Sequence, residues 1–228
     1  MRKSAFAFCF ALALVLGLGS GAQASTVNVT LLSGGGVISH DGGVYVGPYE
    51  LRVGNHTVNA PCDDYFDEIW VGETWKAHEV PLTASGVSSA LFGGYSDADH
   101  LYLEAAYLTS LFSKEPTSDY NDIHFALWGL FDPSALSSSN YDAGAAEFLT
   151  MAEGASLNFN QFKGWDILVP INDTQSRGGR PQEFIIPGAY CPTPTPTPEP
   201  ASLLLLGTGL LGIGFVMRRS RPEAHSQA

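Results

Sequence analysis

Cysteine is scarce in this chain, with three residues, Cys9, Cys62 and Cys191, among 228. That number excludes a disulfide-dense scaffold. Basic residues are scarce as well. Between Ser25 and Pro200, six Lys and Arg stand against 22 Asp and Glu, a balance of −16 before histidine protonation. So acidic a region argues against nucleic acid and against anionic lipid as partners. It suits a solvated surface, divalent cations or a hydrated polysaccharide matrix.

The signatures of familiar chemistry are missing too. His40, His56, His78 and His100 are scattered without H-E-x-x-H spacing, and no C-x-x-C pair occurs, so no zinc site can be argued. There is no G-x-S-x-G, no Walker A loop and no G-x-G-x-x-G after a strand; the triplet Gly34 to Gly36 precedes no helical pattern and reads as a turn. Asp63, Asp64, Asp67 and Glu68 form one acidic cluster, and Asp97 and Asp99, with His100, form another. Neither has the ligand spacing of an EF-hand, and acids at a helix start already have a role as partners of the helix dipole. No metal or cofactor is expected. No repeat of about 20 to 50 residues is visible.

What is present begins with the two ends. Arg2 and Lys3 precede an apolar run from Ala5 to Leu18, followed by the small-residue triplet Ala22, Gln23, Ala24. That is the order of a secretory signal peptide over residues 1–24, with cleavage expected between Ala24 and Ser25 by signal peptidase after passage through the Sec translocon. At the other end, residues 191–200 read C-P-T-P-T-P-T-P-E-P. Proline at alternate positions fixes φ and removes backbone donors, so this segment is expected to be an extended stalk. Ala201 to Met217 supplies 17 apolar or small residues, enough to cross a bilayer core, and Arg218, Arg219 and Arg221 follow. Residues 201–217 are therefore expected to form a single transmembrane helix, with residues 218–228 as a basic cytoplasmic tail and the body outside.

Pro198, Glu199 and Pro200, followed by a Gly-containing apolar segment and a terminal Arg cluster, resemble the PEP-CTERM sorting signal of Gram-negative bacteria. The resemblance implies an exosortase as processing partner. It also implies an inner-membrane-anchored precursor that ends at the cell surface or in an extracellular, exopolysaccharide-rich matrix.

The remaining residues, 25–190, have the length of one domain with a sizeable core. Cys9 leaves with the signal peptide, so Cys62 and Cys191 are the mature cysteines, in a compartment where disulfides persist. Their pairing is expected, closing a long loop at the base of the stalk. Thr26 to Leu32, Val44 to Val53 and Thr57 to Phe66 read as strands of an antiparallel sheet, and Asp67 to Leu82 as a further hairpin. Ser96 is the expected cap of a helix carrying Leu101, Ala105, Leu108 and Phe112. A second helix is expected from Asp119 or Tyr120 to Leu130, and a third from about Asp142 to Ala152. Trp165 to Ile171 and Gln182 to Ile186 return to strand composition. The predicted class is α+β, an antiparallel β-rich scaffold with a helical insertion of two to three helices.

C-D-D-Y at Cys62, L-Y-L-E-A-A-Y-L at 101–108 and I-H-F-A-L-W-G-L-F-D-P at 123–133 together resemble the thioester domains of surface adhesins. That family carries a cysteine on an early strand and a glutamine in Q-x-A-I-W; Ala126, Leu127 and Trp128 match the end of that motif. The glutamine position holds His124 here. A thioester forms when sulfur displaces ammonia from a glutamine carboxamide, and an imidazole has no acyl carbon to give. Gln161, Gln175 and Gln182 all lie beyond this segment. The resemblance therefore implies a related fold without covalent capture. It also places Cys62 and His124 in contact, which raises the speculative alternative of a thiolate–imidazole dyad, acting as nucleophile or metal ligand, beside the plain reading of His124 as a helix residue with one hydrogen bond. Trp70, Trp75, Trp128 and Trp165 are candidate sugar-stacking rings or core residues. The overall expectation is a non-catalytic binding or structural protein, with a cysteine-dependent enzyme or covalent adhesin as the alternative.

Overall fold

The structure is a computed structural model and describes residues 24–39, 43–141, 143–171 and 179–188. The expected signal peptide, stalk, transmembrane helix and basic tail lie outside these residues, as do Cys191, His40 and Gln175. No helix among the described residues is long and apolar enough to cross a membrane.

Six strands carry the architecture: β1 Ser25–Ser33, β2 Tyr49–Val53, β3 His56–Ala60, β4 Thr74–Pro81, β5 Asp166–Pro170 and β6 Phe184–Ile186. They form one antiparallel sheet in the order β3-β2-β1-β4-β5-β6. The first strand starts at Ser25, the residue expected to open the mature chain. Period-two alternation sends Val29, Leu51, Val53, Val58, Trp75, Ala77, Leu168, Phe184 and Ile186 into a single buried cluster. Six strands share it because the sheet curls until its edges meet. Just after β3, Cys62 bridges Phe184 on β6 in antiparallel register. The Asp63 N–H donates to the Glu183 carbonyl at 3.3 Å, and the Ile185 N–H to the Pro61 carbonyl at 3.3 Å. This short seam closes the sheet into a barrel and removes both of its open edges there.

The helices are inserted between β4 and β5: α1 Ala84–Val87, α2 Ala98–Leu111, α3 Tyr120–Phe131 and α4 Ala143–Glu153. They pack on the opposite face of β4, β5 and β6, against Val80, Ile167, Val169 and Ile185. The third helix is apolar almost all round, as expected of a helix buried on both sides. Phe125 and Trp128 join the barrel cluster, whereas Ile123, Ala126, Leu127 and Phe131 join the helical one. A fully buried side chain of this size contributes about 1.5–3 kcal/mol. At its end, Asp132 turns to extended backbone before Pro133, which cannot continue a helix.

The α+β class, the antiparallel sheet and the helical insertion agree with the sequence. Four local expectations differ. The strand expected over Thr57 to Phe66 ends at Ala60, with only the isolated Cys62 bridge beyond it. The stretch 67–82 is one strand after a loop rather than a hairpin. Gly72 (φ 88) turns the chain, and Glu73 folds back so that its carboxylate accepts the Trp70 N–H at 2.8 Å. The segment 44–48 precedes β2 as a loop rather than a strand; its one ladder contact is an isolated Ile38–Tyr45 bridge to the chain just after β1, while Val46 packs into the barrel cluster. The cap of α2 is Asp97, whose carbonyl accepts the first helical amides, not Ser96.

Candidate functional site at the barrel seam

Cys62 and His124, far apart in sequence, meet inside the molecule, and both are fully buried. Cys62 Sγ lies 3.6 Å from His124 Nε2. The imidazole is held at both nitrogens. Gly47 N–H donates to Nδ1 at 2.7 Å, and Nε2 faces the Cys62 carbonyl oxygen at 2.9 Å. An amide N–H only donates and a carbonyl only accepts, so Nδ1 must carry the lone pair and Nε2 the proton. The amide reaches this position because Gly47 has φ 100 and stands where a Cβ would come within 2.6 Å of the Tyr120 ring. The ring stacks on Trp128 at 4.0 Å, with Phe112 and Tyr49 at its edges.

This environment sets the protonation states. Burial lowers the His124 pKa to about 3, opposed in part by its bond to the Cys62 carbonyl. Burial pushes the Cys62 thiol far up; Trp128 and Tyr49 offset this in part, and the charges of Asp63 and Asp64 add to it. The Trp128 indole N–H itself makes no hydrogen bond of ordinary geometry among the described residues. The pair is thus a neutral thiol beside a neutral imidazole whose nearer nitrogen already holds its proton. Arranged this way, His124 has no lone pair aimed at sulfur with which to take the thiol proton, and it acts as a clamp between the Gly47 loop and the seam. Cys62 bonds to no other cysteine among the described residues; the expected partner, Cys191, lies outside them.

One residue along, the seam presents its other face. The register that opposes Cys62 to Phe184 opposes Asp63 to Glu183, and both carboxyls are fully buried. Glu183 accepts from the Tyr102 hydroxyl on α2 and from the Leu91 N–H at 2.7 Å. Neither oxygen of Asp63 has a hydrogen-bond donor among the described residues. Burial, then the facing Glu183 and the neighbouring Asp64, drive Asp63 well above the carboxylate range. Burial likewise raises Glu183 to about 7, against the bonds from Tyr102 and Leu91.

The other acids of that cluster are arranged differently. Asp64 accepts the Phe66 and Asp67 amides at 3.0 and 3.3 Å. Arg180 pairs with Asp67 at 2.7 Å and stands 3.9 Å from Asp64. Glu68 is exposed. Among the described residues no three His, Cys, Asp or Glu side chains converge as a metal site would require. At the start of α2, Asp97 and Asp99 are exposed, and His100 pairs with Glu104 at 2.9 Å. His56 and His78 are exposed on strands.

Of the candidate stacking rings, Trp75 and Trp128 are 2% exposed and belong to the core, which removes them as surface platforms. Trp165 is half-buried against Phe162, and Trp70 is the most open, at 38% exposure. Gln161 closes a capping box with Asn158, and Gln182 donates to the Asp64 carbonyl at 2.7 Å. Sequence reasoning missed Glu183 and Tyr102 as partners of the seam. The available signal was a charged residue at the head of the otherwise apolar strand F-I-I, in phase with Ile185 rather than Phe184.

No curated protein and no solved structure matches the chain. The thioester-domain resemblance of the body therefore gains no support from relatives. Residues 196–220 match the family described as the PEP-CTERM protein-sorting motif, and this signal marks an exported protein sorted by an exosortase.

Proposed function

We propose that the chain is displayed at the cell surface, or released into a surrounding exopolysaccharide matrix, after exosortase processing, and that its barrel body has a non-catalytic binding or structural role there. The observation that carries the reading is the sorting motif at residues 196–220. The acidic composition supports it as well, since a strongly negative body stays soluble and hydrated outside the cell. Signal peptidase and the Sec translocon complete the route implied by residues 1–24. Replacing Glu199 and Pro200 by alanine should leave the Arg-ended tail uncleaved and the protein in the inner-membrane fraction. Undiminished release of that variant would sink the sorting route.

The 3.6 Å approach of Cys62 and His124 favours a second reading, a cysteine-dependent enzyme or covalent adhesin. The committed Nε2 proton and the complete burial of both side chains weigh against it. Native-state labelling with iodoacetamide separates the two. A reactive thiolate at neutral pH would labe Cys62 within minutes, whereas the clamp geometry calls for labelling only as the fold opens.

A further inference from the structure

We infer that Asp63 and Glu183 share a single proton, and that this proton latches the barrel seam shut over the Cys62 thiol. The geometry comes first. Residues directly opposite on an antiparallel pair bring their side chains together on one face, and two like charges so placed repel. Here the pair is walled off from water, and Asp63 has no donor among the described residues. Glu183 is an acceptor already oriented by Tyr102 and Leu91. A protonated Asp63 supplies the missing element: its O–H donates to the Glu183 carboxylate, leaving one negative charge, bonded three times, in place of two.

The surrounding groups favour that state. Tyr102, from α2, faces the pair as a neutral hydroxyl, and burial together with the facing acids raises its pKa. Asp64, next along the seam, is itself raised to about 7, and wherever it is ionised it further disfavours a second charge on the pair. Arg180, from the segment before β6, is engaged with Asp67 and Asp64. On the reverse face, the Cys62 thiol is neutral. When the pH rises far enough for the shared proton to leave for water, two carboxylates oppose each other across a seam held by two backbone bonds. Opening at that point releases the Cys62–Phe184 bridge and exposes the thiol.

The test uses the full-length chain in detergent, with alkylation read at the Cys62 peptide by mass spectrometry from about pH 4.5 to 7.5. Thiol ionisation and any His124 contribution affect the wild type and Asp63→Asn alike, so their ratio of rates isolates the latch. That ratio should climb by up to about tenfold per pH unit as one proton is lost from the closed state, then level off above about 7. A ratio that stays constant with pH overturns the inference. Asp63→Asn keeps a donor toward Glu183; should it fail to fold, Glu183→Gln takes its place. Infrared spectroscopy of the wild type needs neither variant. A buried protonated carboxylic acid should give its carbonyl band at pH 6.5, and absence of that band overturns the shared proton. Loss of the band on adding calcium, together with loss of the pH dependence, would assign the seam to a cation instead.

Discussion

The two faces of the barrel seam, one residue apart, solve burial in opposite ways. On the inner face, Cys62 and Phe184 sit in an apolar core, and the imidazole of His124 against them has both nitrogens bonded. On the outer face, Asp63 and Glu183 bring two acids into a dry space with fewer donors than they need. The inner face is stabilised by packing and a fixed tautomer, and the outer face depends on a proton. Polar groups in a protein interior are thus tolerated either by complete pairing or by neutralisation, and this short seam uses both.

The largest expected effect removes the inner packing. Phe184→Ala should destabilise the fold by about 3–5 kcal/mol in denaturant titration, because Phe184 is fully buried against Tyr49 and Trp75 and the barrel cannot collapse around the void. A loss under about 1 kcal/mol would show that the seam carries little of the core. Next, His124→Ala leaves the Gly47 amide and the Cys62 carbonyl without partners, and should cost about 2–3 kcal/mol with faster exchange of the Gly47 amide. His124→Gln, which can serve one of those groups, should recover part of the loss.

The smallest effect per unit change is the pH dependence, and there the two faces have opposite signs. His124 has a folded pKa near 3 against an ordinary 6.5. Its contribution is present above 6.5 and is lost as pH falls toward 3. Glu183 is raised from an ordinary 4.5 to about 7, Asp63 is raised as well, and Asp64 is raised to about 7. Their contribution is present below about 4.5 and is lost as pH rises through 7. Between 4.5 and 6.5 the slopes oppose, but more than one raised carboxyl stands against a single histidine, so thermal stability should already decline with pH there, with its maximum near 4.5 and a fall on both sides of it. Removing His124 should convert the profile into a steady decline with pH, and Asp63→Asn should weaken the decline toward 7, each by at most about 1.4 kcal/mol per pH unit per proton.

The sequence carried the local signals well. The helix expected from Asp119 or Tyr120 to Leu130, with its Asp132-Pro133 stop, is found over Tyr120–Phe131, and the β-branched run expected as a strand over Thr26 to Leu32 is found over Ser25–Ser33. The hairpin expected at 67–82 failed because Trp70 and Val71 have strand propensity but stand in an exposed loop turned by Gly72. The juxtaposition of Cys62 with His124 came from a resemblance, and neither residue's spacing encodes it. The tautomer needs the Gly47 amide, and the acid pair needs the seam register, both contacts between distant segments that no local pattern records. The sorting address at 196–220 was legible because it is read as a linear string and needs no fold at all.

The position of β6 gives the barrel a direction in time. The first strand, starting at Ser25, cannot be enclosed until Phe184–Ile186 arrives, and β4 must wait through the whole helical insertion for β5. Loops of that length delay the contacts that complete the sheet. A chain emerging from its N-terminus therefore stays open, without its finished core, until ten residues before the sorting motif begins at 196. Completion of the fold and presentation of the address become nearly simultaneous events. The order of the strands thus ties closure of the barrel to the last segment of the body to be made.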